Sequence, residues 1–164
     1  MTANPPAGNT EPSAQQRART MPGQRLVNVL VRGLLRTPIL CRIVGSRLVT
    51  LYVVGRNSGR VYPVPVAYLR HGSDLLIGTS FGWGRNLRTG ESVAIRLQGK
   101  LRPAAVRVST TEPEVASAYA HMARVNPTFA KFNTIRISAD GEPELHDLHL
   151  AWAGGARAIR LTPD

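Results

Sequence analysis

A chain of 164 residues, 43% of them hydrophobic, suits one folded domain with its own core and excludes a disordered protein. Its net charge of +11 is uneven: residues 1 to 110 carry sixteen Arg/Lys against Glu11, Asp74 and Glu91, whereas residues 111 to 164 carry five against seven acids. Such an excess suits nucleic acid, an anionic membrane surface or a polyanionic small molecule, and a single cysteine, Cys41, excludes an internal disulfide and a thiolate metal cluster.

Residues 1 to 20 contain no large apolar side chain after Met1 and read as a loose tail, without the apolar core of a signal peptide. Residues 21 to 164 read as one domain. Its first segment, 25 to 47, places Val27, Leu30, Val31, Leu34 and Leu35 at helical spacing, with Arg25, Arg32 and Arg36 elsewhere on the wheel. This N-terminal amphipathic helix is expected to pack on the barrel, with peripheral contact to an anionic membrane as the alternative. Arg32, Arg36, Arg42 and Arg47 interrupt the segment too often for a transmembrane span, so a cytoplasmic protein is expected. Thr37 and Pro38 read as the cap and first-turn proline of a second short helix ending near Gly45. Within it, Cys41 reads as a small buried apolar residue.

Strands follow. "LVTLYVV" (48 to 54) is rich in β-branched residues. In "VYPVPVAYL" (61 to 69), Pro63 and Pro65 stand two apart, so both missing N–H groups lie on one side, as an edge or bulged strand allows. "DLLIGTS" (74 to 80), "SVAIRLQ" (92 to 98) and "LRPAAVRVS" (101 to 109) supply three more, the last two joined by a turn at Gly99 and Lys100. Thr111 and Glu114 make a capping box for a helix through about Arg124, and "ARAIRL" (156 to 161) closes the chain as a strand. Short strands, tight turns and few helices predict a mainly β (α+β) fold, a small antiparallel barrel with helices packed outside. The order is not an alternating β/α pattern, which argues against a doubly wound parallel sheet.

Two stretches carry chemistry. In "GRNSGR" (55 to 60) two glycines frame Arg56, Asn57 and Ser58, and Arg60 follows. The turn is either a plain hairpin or a nest of N–H donors and guanidinium forks for a phosphate or carboxylate. "GTSFGWGRNLRTG" (78 to 90) leaves a strand, turns on glycines and offers "RNLRTG" as a short helix bearing Arg85 and Arg88, whose N-terminus also suits an anion. Trp83 supplies an aromatic wall or simply fills core. Gly78 to Gly82 also fits the G-x-S-x-G elbow of serine hydrolases, though the chain is short for that fold. His71, His121, His146 and His149 read as surface residues, because no third ligand accompanies the His146/His149 pair, and no metal is expected. Tyr119, Phe129 and Phe132 read as core. With no RNP signature and no helix-turn-helix pattern, no nucleic-acid partner is expected.

The strand before "GRNSG", then "PVAYL", then a strand leading into Trp83, Gly84, Arg85, Asn86 and Leu87, resembles the deazaflavin-dependent nitroreductase and quinone reductase family of split β-barrels, relatives of the pyridoxamine phosphate oxidases. The resemblance spans roughly residues 25 to 162. It implies a split antiparallel β-barrel with flanking helices and bound coenzyme F420, a deazaflavin made polyanionic by its phosphate and oligoglutamate tail. It implies hydride transfer from that cofactor to a small-molecule acceptor such as a quinone or nitro compound. On the matching positions it implies cofactor contacts at Arg56, Asn57, Ser58, Gly59, Arg60, Ser80, Trp83, Arg85, Asn86 and Arg88. Asn126, Phe129 and Phe132 fall where the family places the substrate wall, here without its tyrosine hydroxyls, and no catalytic residue is singled out. Better-known members have basic residues where this chain has Asn57, Tyr62 and Phe81, and Arg60, Arg85 and Arg88 are the candidates to replace that charge. The alternative reading is a non-catalytic barrel carrying FMN or another anionic ligand. A homodimer is left open.

Overall fold

The computed structural model describes residues 47–164 of the chain. The tail, the amphipathic segment and Cys41 lie outside the described residues. Seven strands form one antiparallel sheet: β1 (Leu48–Val54), β2 (Val61–Ala67), β3 (Leu69–His71), β4 (Asp74–Thr79), β5 (Ser92–Leu97), β6 (Lys100–Ser109) and β7 (Arg157–Pro163), in the order β2-β1-β5-β6-β7-β4-β3. A 3-10 helix, Gly82–Asn86, separates β4 from β5, and three helices lie between β6 and β7: α1 (Glu112–Val125), α2 (Pro127–Phe132) and α3 (Leu145–Ala153). This is the expected mainly β split barrel with flanking helices.

Alternation along the strands sorts side chains between the two faces. Val49, Leu51 and Val53 of β1 meet Val93, Ile95 and Leu97 of β5 and Ile159 and Leu161 of β7 in an inner core, the period of two placing one apolar row per strand inside. On the outer face Leu76, Val115, Tyr119, Met122 and Leu148 form a second core under the helices. β4 feeds both: Leu75 and Ile77 point inward while Leu76 points to α1, so Leu75, Leu76 and Ile77 are buried in succession.

The prolines of β2 sit on an edge strand, as expected, opposite Tyr52 and Thr50 of β1. The predicted second strand is broken at Tyr68, leaving β3 as a separate three-residue strand. The β5–β6 turn falls one residue earlier than predicted: Leu97 pairs with Lys100, and Gln98 (φ 49°) with Gly99 (φ 79°) makes the turn. A two-residue hairpin whose central residues both have positive φ fits the sheet's twist, and that geometry outweighed the cost of placing glutamine there. Thr111 precedes α1 as its cap residue, but its hydroxyl bonds the Glu114 carboxylate (2.9 Å) and no backbone N–H. The helices α2 and α3 were not predicted. Asp147 anchors the second of them: it is 8% exposed and accepts from the Arg136 backbone N–H, Nε and Nη2, each at 2.9 Å. Those bonds hold its carboxyl down at about 2.

Candidate functional site

Two segments meet at one rim of the barrel. The first is the turn between β1 and β2, whose last pair is Val54 with Val61. The Gly55 N–H donates to the Arg60 carbonyl and the Gly59 N–H to the Gly55 carbonyl, both at 2.8 Å. Gly59 takes φ 63°, where a side chain is strained. Gly55 is needed for space: a β-carbon there would lie 2.8 Å from both Ser58 Oγ and Tyr62 Cε2. The stretch is therefore a true hairpin, yet its donors are not all consumed inside it. The Arg60 N–H donates to Ser58 Oγ (3.3 Å) and the Arg56 N–H to Asn86 Oδ1 (3.4 Å). Among the described residues the N–H groups of Asn57 and Ser58 meet no acceptor.

The second segment is the Gly82–Asn86 helix. It corrects the expected "RNLRTG" helix: the turn begins at Gly82, ends at Asn86 and is a five-residue 3-10 helix, with Leu87 already extended. Leu87 is buried against the inner core, and that burial pulls the chain out of helical geometry before Arg88. So short a helix offers no anion site at its N-terminus, and its contribution is Arg85 and Asn86. The Arg56 guanidinium donates to the Arg85 carbonyl while its backbone bonds the Asn86 side chain, so residues about thirty apart in sequence are clasped together. Arg56, Arg60, Arg85 and Arg88 are all exposed and make no ion pair among the described residues.

Of the ten expected cofactor contacts, Arg56, Asn57, Ser58, Gly59 and Arg60 share the turn, and Arg85 and Asn86 are joined to it. Ser80 is exposed on the link between β4 and the 3-10 helix. Trp83 is partly buried and packs against the inner core, so it is both wall and core. Arg88 lies beyond the helix, its carbonyl accepting from the Glu91 N–H (3.2 Å), and no contact joins it to the turn. Tyr62 appeared in the sequence only as a position lacking a base. Its half-exposed phenol lies 3.2 Å from Ser58 Oγ, which adds a second hydroxyl to the rim. Four residues of hairpin spacing were its only signal.

The expected acceptor wall divides into three roles. Asn126 caps α2, its Oδ1 accepting from the Thr128 and Phe129 N–H groups (3.1 and 3.2 Å). Phe129 packs edge-on to Tyr119, centroids 5.1 Å apart, over Gly78 of β4. Phe132 is 64% exposed, which corrects its reading as core. Tyr119 is fully buried as expected, but its hydroxyl has no hydrogen-bond partner among the described residues. His149 bonds Glu112 at 2.6 Å, and no group of three His, Cys, Asp or Glu side chains converges among the described residues.

One rim of the split barrel thus brings together Arg56, Asn86 and two backbone N–H groups that meet no acceptor among the described residues. The chain belongs to the F420H(2)-dependent quinone reductase family, whose model matches residues 25–137. It is accordingly an oxidoreductase that uses coenzyme F420 and reduces a small-molecule acceptor. A comparison with curated proteins finds no match. Among solved structures, an F420-H2-dependent reductase is 14% identical, with 70% of this chain and 93% of that one covered and a TM-score of 0.46. A FAD-binding protein from Mesorhizobium loti is likewise 14% identical, with 78% and 90% covered and a TM-score of 0.46. A domain-swapped dimer is 15% identical, with 84% and 98% covered and a TM-score of 0.45. The assignment rests on the family match. No helix among the described residues is long and apolar enough to cross a membrane.

Proposed function

We propose that the Gly55–Arg60 turn and the Gly82–Asn86 helix hold the anionic part of coenzyme F420, with Arg56, Asn57, Ser58, Gly59, Arg60, Arg85 and Asn86 as contacts. Ser80 and Trp83 border its ring system. The observation that carries this reading is the clasp of Arg56 onto Arg85 and Asn86, beside two backbone N–H groups that meet no acceptor among the described residues. A donor set of this kind fits a polyanion, because several fixed donors share one charge without rearranging. When bound, the reduced deazaflavin supplies the hydride, and the protein's part is binding and orientation.

Each residue then has a stated task. One donor of the Arg56 guanidinium is held by the Arg85 carbonyl, which orients the fork while leaving other N–H groups for oxyanions. Ser58 accepts from Arg60 and sits against Tyr62, so its hydroxyl keeps the turn in shape even when it also meets the ligand. Arg88 acts through its charge alone, over the Debye length of about 8 Å at physiological salt. On the acceptor side Phe129 offers an apolar surface, fixed by the Asn126 cap beneath it.

Isothermal titration of oxidised coenzyme F420 into the wild type and Arg56→Ala tests the reading. Loss of a hydrogen bond to a charged group predicts a deficit of about 1.5–3 kcal/mol in the variant, with the melting temperature of the free protein nearly unchanged. Raised salt weakens the wild type more than the variant. Unchanged affinity in Arg56→Ala would return the turn to an ordinary hairpin.

A further inference from the structure

The geometry points to a second anion site, separate in its lining from the cofactor turn: a groove between α1 and the outer face of β3, β4, β6 and β7 that takes the phosphate of a small phosphorylated molecule. The groove has a volume of about 530 Å³, and no residue of the Gly55–Arg60 turn or the Gly82–Asn86 helix lines it.

Its sheet wall carries Arg107 and Arg160, which stand directly opposite each other on β6 and β7. Like charges at such a position destabilise a sheet, so an anion between them removes a cost that the free protein bears. The neighbouring carboxylates compensate weakly. Glu114 lies 3.8 Å from Arg107 and Asp74 lies 3.7 Å from Arg160, both beyond hydrogen-bond reach. Each carboxylate is hydrogen-bonded to a threonine hydroxyl instead, Thr111 for Glu114 (2.9 Å) and Thr162 for Asp74 (2.8 Å). Neither guanidinium donates a hydrogen bond among the described residues, so both forks are unspent. By contrast, Arg124 at the end of the groove is engaged with Glu142 at 2.8 Å.

The rest of the lining is of the same character. His71 and His121 meet edge to face, centroids 5.1 Å apart, and their ring nitrogens have no hydrogen-bond or ion-pair partner among the described residues. The hydroxyls of Ser109 and Ser117 are likewise unpaired. Donors thus approach from the sheet and from the helix. A planar carboxylate is satisfied by one guanidinium fork, whereas a phosphate has oxygens for both walls at once. Leu76, Ala118, Ala120 and Ala158 also line the groove and offer an apolar surface to the organic body of the ligand.

The test is titration of the full-length protein with inorganic phosphate and with phenyl phosphate, at fixed ionic strength, followed by the NMR signals of the histidine imidazoles. Saturable shifts are expected for His71 and His121, with His146 and His149 unmoved, and phenyl phosphate binds the tighter of the two. Arg107→Ala and Arg160→Ala each weaken phenyl phosphate by about tenfold or more, the range for a charge-assisted bond. Neither variant changes the affinity for coenzyme F420, and Arg56→Ala leaves phenyl phosphate binding unchanged. Equal, non-saturating shifts at all four histidines overturn the site, as does undiminished binding in both arginine variants. Tighter binding of inorganic phosphate than of phenyl phosphate overturns the phosphorylated-molecule assignment. A loss of coenzyme F420 affinity in Arg107→Ala would show that the groove belongs to the cofactor site.

Discussion

Replacing Gly78 by alanine tests how the outer core supports Phe129, the proposed acceptor surface. Gly78 pairs with Ala158 across β4 and β7, and a β-carbon on it would lie 2.8 Å from Phe129 Cε2 and Cζ and 3.0 Å from Tyr119 Cζ. Tyr119 is fully buried, with Val115 and Met122 packed in the same cluster, so it has nowhere to retreat. Phe129 is only partly buried and takes up the displacement. Overpacking of this kind costs about 1–3 kcal/mol. At about 2–4 °C per kcal/mol for a chain this size, Gly78→Ala melts roughly 2–12 °C lower. Circular dichroism melts measure that, and steady-state quinone reduction with reduced coenzyme F420 measures the site, where KM for the quinone rises while cofactor affinity holds. Adding Phe129→Leu removes the colliding ring edge and restores stability, with a coupling of at least about 0.5 kcal/mol in a double-mutant cycle. An unchanged melting temperature in Gly78→Ala would refute the close approach, and an unchanged KM in both Gly78→Ala and Phe129→Leu would detach Phe129 from the acceptor.

Tyr119→Phe deletes a buried hydroxyl with no partner among the described residues, a group whose ionisation burial strongly opposes. An unsatisfied buried polar atom costs about 1–3 kcal/mol, so the variant gains stability in that range, read from the urea midpoint; a loss would mean the phenol bonds something in solution. Asp147 is held at about 2 against an ordinary 3.8. A depressed carboxyl stabilises the fold fully above its unfolded value and loses that contribution as pH falls from about 4 towards about 2. Asp147→Asn is therefore less stable than wild type at neutral pH, and the gap narrows through that acid window. A gap independent of pH would show that the Arg136–Asp147 bonds do not depend on the carboxylate charge.

The β-branched residues of β1 made it legible as a strand, and turn residues bounded β5 and β6; that Val49, Leu51 and Val53, like Val93, Ile95 and Leu97, share the inner face is what the structure adds. Pro63 and Pro65 marked an edge because their missing N–H groups exclude a central strand. The turn at Gln98 was hidden, because a glutamine at positive φ has no sequence signature and is imposed by the pairing of Leu97 with Lys100. Helix α3 was hidden for a related reason: its buried face is anchored by Asp147, and a buried aspartate looks like a surface residue until Arg136 is seen beside it. At the rim, Arg56, Arg85 and Asn86 were each legible as donors, but their clasp is a tertiary contact across about thirty residues. Arg107 and Arg160 alternate with apolar neighbours, as arginines on any solvated face do, so only the register between β6 and β7 reveals them as a pair.

The two ends of the sheet bear on how copies of this chain can associate. At one end β2 presents Pro63 and Pro65, which have no N–H to offer an incoming strand, and at the other β3 is only three residues long. A sheet edge becomes a template for polymerisation when it shows a long, regular row of donors and acceptors, and neither of these does. Concentrated protein is thereby guarded against strand-by-strand growth into fibres, and an assembly of the described domain has to be built from side-chain surfaces and not by extending its sheet.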